Sequence, residues 1–137
     1  MATKKVAEKA RYFYGVGRRK ASSVRAKYYP GESEIGFIVD GKKSSDYFPR
    51  FYEQLIQELF TRVGVTTGSI ELFARGGGVS GQAEASRLAI AKALLVSNEG
   101  LRPLLRSFGY LTTDNRKVLP KRPGLKKARK REQWSKR

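Results

Sequence analysis

The stretch ARGGGVSGQA sets Gly76 and Gly81 with four residues between them, after an alternating segment and before an alanine-rich one. That is the spacing of a loop that cradles nucleotide phosphates. Such a loop also needs Lys to meet the β- and γ-phosphates and Ser or Thr to hold magnesium, and this chain has Gln82 and Ala83 in those places. Triphosphate hydrolysis is therefore not expected. Two readings stay open: a tight turn that lets a helix pack close to a sheet, or bare amides at a helix N-terminus, with Ser80 as cap, that meet an RNA phosphate. The second reading would use Gly77, Gly78 and Gln82. A second cluster, YGVGRRKASS, supplies Gly15 and Gly17 but has Lys20 where a dinucleotide fingerprint wants its third glycine, and a strand-like segment follows instead of a helix. With no histidine and no cysteine, the chain lacks the commonest general acid or base, the commonest metal ligand and any disulfide or thiolate site. No catalytic residue, metal site, cofactor or small-molecule substrate is expected.

The abundant chemistry is positive charge. The 137 residues carry a net charge of +17, unevenly placed. Residues 1–27 hold nine basic residues and one acidic, residues 28–115 nine and ten, and residues 116–137 eleven and one. Clustered charge marks a binding surface, whereas evenly spread charge keeps a protein soluble. By charge, the chain is a near-neutral body between two cationic arms. Arg18, Arg19 and Lys20 fall on a hairpin turn, and Arg25 and Lys27 continue the charge along an exposed strand face. Five cations in residues 18–27 with no carboxylate among them favour a surface for a polyanion over a merely solvated face. Arg75, at the end of a later strand, joins this set.

Pro120, Pro123 and Gly124 stop any helix, so the segment that follows leaves the body as an arm. Its cations are Arg116, Lys117, Lys121, Arg122, Lys126, Lys127, Arg129, Lys130 and Arg131, then Lys136 and Arg137. Like charges at i,i+4 disfavour a helix there, so order must come from a polyanion. Trp134 can stack on a base or against backbone sugar, or anchor on a protein neighbour.

The elements that position these residues follow from periodicity. Residues 12–16 and Ser22–Tyr29 alternate as strands, and residues 35–39, set between PGE and DGK turns, read as a third strand in a meander. Tyr52, Leu55, Ile56, Leu59, Phe60 and Val63 form one helical stripe that Gly64 ends. Ser69–Arg75 returns to strand, with Ile70 and Leu72 opposite Glu71, Phe73 and Arg75. Residues 81–97 read as the longest helix and 98–108 as a shorter one. Strands first and helices after argue for an α+β, two-layer arrangement with helices on one face of a mixed sheet. No apolar stretch approaches the ~20 residues that span a bilayer, and the first residues lack the apolar core of a secretory signal. A reducing, aqueous compartment is expected. A histone-like nucleic-acid compaction protein and the protein part of an RNA-processing ribonucleoprotein share this charge pattern.

The segments YGVGRRKASSVRA, VDGKKSSDYF, GGGVSGQAEASRLAIAKALL, LRPLLRSFGYLTTDNRKV and GLKKARKREQWSKR, in that order, resemble the bacterial-type family of small-subunit ribosomal protein nine. The likeness runs from about residue 12 to 137. It implies a basic N-terminal segment (1–10), a globular RNA-binding domain (11–115) and an extended basic tail (116–137). The implied domain is a two-layer sandwich of a mixed four-stranded sheet with helices on one face, like the second domain of small-subunit ribosomal protein five, with a left-handed βαβ crossover. The resemblance also implies a seat in the head of the small subunit of a cytoplasmic or organellar ribosome, beside other head proteins, on the 3′ major domain of the ribosomal RNA. There Ser135, Lys136 and Arg137 would meet the anticodon stem-loop of P-site tRNA. Glu84, Leu88, Glu132 and Trp134 depart from the family's usual residues.

Overall fold

In the computed structural model, which describes residues 12–31 and 36–137, the alternation around Val24 becomes a hairpin. β1 (Phe13–Arg19) and β2 (Ser22–Tyr29) run antiparallel, and Arg19 pairs with Ser22, leaving Lys20 and Ala21 as the turn. Lys20 takes a φ of 53°, the left-handed conformation that two-residue hairpin turns favour. Asp40 and Gly41, with φ of 47° and 80°, close a second hairpin between β3 (Gly36–Val39) and β4 (Lys42–Lys43). Ile35, expected to open the third strand, and the expected N-terminal segment 1–10 lie outside the described residues. The charge boundary at residue 27 is not a structural boundary, because the cations from Arg18 to Lys27 ride on paired strands rather than on an arm.

A short helix α1 (Ser44–Tyr47) leads to α2 (Arg50–Val63), then β5 (Ser69–Arg75), α3 (Val79–Ser97), a 3₁₀ turn (Glu99–Leu101) and α4 (Arg102–Ser107). The expected meander is corrected by the strand order β1-β2-β5-β3-β4: β5 enters between β2 and β3, antiparallel to the first and parallel to the second. The sheet has five strands rather than four, the extra one being the two-residue β4.

The crossover geometry follows from the hydrogen bonds. Gly36 and Asp40 donate their amides to Gly68 O (3.3 Å) and Leu72 O (2.9 Å). Between them, Val39 is buried under the helices while Ile38 is 45% exposed on the other face. For L-residues, outward-facing positions whose amides point at β5 fix the side of β3 on which that strand lies. With α2 packed on the inner face through the Phe37–Phe60 ring pair (5.0 Å), the β3–α2–β5 connection is left-handed, against the usual rule for parallel strands.

The helical layer is held by two kinds of contact. On α2, Ile56, Leu59, Phe60 and Val63 face the core, and Gly64 (φ 73°) ends the helix by donating to Phe60 O. α3 is buried on nearly every side, and where it meets the hairpin both partners are small. Ala85, Ala89 and Ala93, four residues apart, form a smooth ridge against Gly15 and Gly17 of β1. The GVG of the failed dinucleotide fingerprint is thus the seat of this helix. α3 starts two residues earlier than expected, with Gly78 at its N-cap and no side-chain cap, so Ser80 lies in the first turn instead of capping it.

Candidate nucleic-acid interface

Adjacent residues of a strand point to opposite faces, so the cations at the end of β1 divide. Arg19 turns to the helical side, where its side chain is only 14% exposed. There Nε donates to Glu84 Oε2 at 2.6 Å, one terminal nitrogen lies 3.2 Å from Asp114 Oδ2, and the other donates to the Arg116 carbonyl at 3.1 Å. Asp114 also accepts from the Arg116 amide (2.8 Å) and guanidinium (2.7 Å). The Arg116 side chain first, and then its amide, hold the Asp114 carboxyl down to about 2. These contacts latch the root of the tail to α3 and β1.

Arg18 and Lys20 stay outside the latch. With Lys92 of α3 and Lys117 they line a cleft of about 660 Å³ beside the β1–β2 turn, walled by Thr113, Asp114 and Asn115. Its one carboxylate, Asp114, is already taken by two arginines, so the cleft presents four cations and hydrogen-bonding groups to an anion. Beyond it residues 116–137 form no helix or strand. The tail is nonetheless not extended throughout. The chain bends at Gly124 (φ 74°), Lys126 donates to Lys130 O at 2.7 Å, and Leu125 and Ala128 are half-buried in a local loop. Lys121, Arg122, Lys126, Lys127, Arg129, Lys130 and Arg131 are exposed, as are Trp134, Ser135, Lys136 and Arg137.

The sheet face turned from the helices carries Arg25, Lys27 and Arg75 among aromatic rings. Burial raises the Tyr29 phenol on that face, and Lys27 opposes the effect.

At the glycine loop, Gly76 and Gly77 adopt φ of 69° and 67°. A side chain at Gly77 or Gly81 would collide with Ser22 Oγ, a buried hydroxyl without a hydrogen-bond partner among the described residues. Gln82 is a strut: Nε2 donates to Gly76 O at 3.1 Å and Oε1 accepts from the Tyr47 hydroxyl at 2.9 Å. The loop closes β5 onto α3 with its own groups. Among the described residues no cluster of acidic side chains could hold a metal ion, and no helix is long and apolar enough to cross a membrane.

Residues 17–137 match the family described as ribosomal protein S9/S16. The chain belongs to that family. It is similar to the small ribosomal subunit protein uS9 of Desulfovibrio desulfuricans, 42% identical over 129 residues that cover 93% of this chain and 98% of that protein. The proteins of the same name from Saccharopolyspora erythraea and Nocardia farcinica are 47% and 46% identical, covering 89% of this chain in each case and 80% and 73% of the relatives. As an S9/S16-family ribosomal protein the chain is not an enzyme.

In this S9/S16 protein the fold gathers Arg18, Lys20 and Lys117 into the cleft, spreads Arg25, Lys27 and Arg75 over the open sheet, and gives Arg19 and Gln82 internal partners, while Arg116 pairs with Asp114 yet stays 85% exposed. Gly77 and Gly78 stand at the start of α3. Lys92 escaped the sequence reading, since one lysine in an alanine-rich helix looks like a solvated edge. Only the packing of α3 on β1 brings it beside the turn.

Proposed function

We propose that the chain is a structural constituent of the head of the small ribosomal subunit in cytoplasmic ribosomes, seated on the 3′ major domain of its RNA beside other head proteins. The cleft of Arg18, Lys20, Lys92 and Lys117 meets RNA phosphates, and the tail continues the contact to the P site, where Ser135, Lys136 and Arg137 touch the anticodon stem-loop of the tRNA. The observation that carries this reading is the continuity of the surface: the four-cation cleft opens directly at the root of an exposed tail with eleven basic residues and one acidic. The tail's ten net charges correspond to a salt slope near −7 on single-stranded RNA, and the eight left without Lys136 and Arg137 still give about −6. The tip's contribution is positional. A narrow chain enters a gap that a folded body cannot, and Arg137 offers a two-pronged contact to one phosphate.

Deleting Ser135, Lys136 and Arg137 tests this. Subunits of normal protein composition with weakened P-site tRNA binding are expected. Subunits that lack the protein, or tRNA affinity unchanged across a salt series, would show that the tip acts elsewhere.

A further inference from the structure

We propose that the open face of the sheet binds unpaired RNA bases by stacking them on aromatic rings. This rests on the RNA-binding reading above and assigns to that surface a ligand part other than phosphate.

The solvent face of an antiparallel sheet is ordinarily polar. Here Tyr12 and Tyr14 are 47% and 45% exposed on it, and Phe73 is half-buried beside them. Strand propensity accounts for aromatic residues in β1 and β5. It does not account for Tyr14 and Phe73, with Tyr12 just before β1, being turned outward, away from a core that lies on the other side. Cations separate the rings: Lys27 Nζ lies 4.8 Å from the centroid of Phe73 and 5.2 Å from that of Tyr12, and the Arg25 guanidinium lies 5.8 Å from Phe73. Such contacts place the cation over the ring face, so a base that stacks on Phe73 takes the place of Lys27 or Arg25, which then turns to the linking phosphate.

The register gives the spacing. Tyr14, Lys27 and Glu71 form one cross-strand row, and Arg25 and Phe73 lie in the next row of like orientation. Tyr14 and Phe73 are therefore two strands apart and two residues along, roughly 12 Å on strand geometry, with Arg25 and Lys27 between them. Two unstacked bases lying on those rings would carry their linking phosphates over the two cations. Glu71 is the one carboxylate among these residues and already faces Lys27 at 3.5 Å, so the patch stays positive. A duplex hides its base faces and offers the rings nothing to stack on, whereas loops and bulges splay theirs out. The occupant is single-stranded RNA.

The test compares the full chain's binding to a short oligoadenylate and to an abasic ribose-phosphate oligomer of equal length at one ionic strength. Both present the same phosphates, so electrostatic attraction cancels, and any stacking by Trp134 is common to wild type and variants. The wild type is expected to prefer the base-bearing oligomer by about tenfold or more. The Tyr14→Leu and Phe73→Leu double variant should lose most of that preference, and Tyr14→Leu alone, at an exposed edge-strand site outside the core, should lose part of it. A double variant that keeps the full preference overturns the proposal, as does a wild type with none, which would assign the face to a protein neighbour. Failure to bind either oligomer with salt-dependent affinity would instead contradict the RNA-binding reading itself.

Discussion

Replacing Gly17 by Ala should destabilise the fold severely, although the substitution adds one methyl group to a strand. That methyl would lie 2.7 Å from the Ala89 amide nitrogen and closer still to the Ala85 carbonyl oxygen, both backbone atoms of α3. Comfortable carbon contacts begin near 3.5 Å, so the amide nitrogen alone requires helix and strand to part by about 0.8 Å and the closer carbonyl oxygen requires more. α3 has nowhere to retreat, since Leu88, Ile90, Ala91 and Leu94 on its other sides are also buried. Overpacking typically costs ~1–3 kcal/mol, and because backbone must move here the upper figure, about 3 kcal/mol, applies. The sign is informative. Gly17 has no positive φ, and without a clash Gly→Ala at such a site stabilises by about 0.4–1 kcal/mol through the unfolded chain. For a body of this size 3 kcal/mol corresponds to a fall in Tm of roughly 12–24 °C. Thermal melting with urea titration reads it, and Gly36→Ala serves as control, since a methyl there meets only Ser69 Cβ at 3.9 Å. A Gly17→Ala protein that melts with the wild type would refute the seating of α3 on β1.

Further outcomes follow from the latch, the cleft and the glycine loop. The folded Asp114 carboxyl sits at about 2, below its ordinary 3.8, so the latch should be intact above pH 4 and be lost only as pH falls through about 2. An NMR titration of that carboxyl with a midpoint near 3.8 would contradict the pairing with Arg116 and Arg19. Changing Arg18, Lys20 and Lys117 together to Gln should lower the salt slope for single-stranded RNA by about 2 while leaving the melting curve in place; an unaltered slope would remove the cleft from the interface. ATP and GTP should bind no tighter than ~1 mM, the weak attraction any strongly cationic protein has for them, and calorimetry giving a micromolar Kd would reverse the reading of residues 76–81.

Local pattern carried some elements to the residue. Ser22–Tyr29 and Ser69–Arg75 were legible because, Ser22 and Phe73 apart, apolar residues at inward positions alternate with polar, charged or tyrosine residues at outward ones, and the stripe ending at Gly64 gave most of Arg50–Val63. Lys42–Lys43 and Ser44–Tyr47 are too short to show a period. The strand order was hidden for a different reason: neighbours in sequence look like neighbours in space until a later strand intervenes, and nothing local in Ser69–Arg75 announces that it parts β2 from β3. The site divides in the same way. That Arg18 and Arg19 face opposite ways is implicit in the strand period, but the partners that take Arg19 out of the cationic surface lie 65 and 95 residues further on, at Glu84 and Asp114. The outward rings could be read as a set only once β1 and β5 were known to flank β2.

The placement of β5 also governs when this protein can fold. Chains dominated by pairings between distant segments close slowly, because loop entropy is lost before contacts compensate it. Here the two hairpins form from local sequence, yet the sheet joins them only through Ser69–Arg75, and the helix that covers β1 comes later still. During synthesis the N-terminal hairpin therefore emerges with its inner face bare and its cations free for tens of residues, exposed to aggregation and to any polyanion at hand. A nascent chain halted at Thr67 holds two hairpins and two helices, and no strand to make them one sheet.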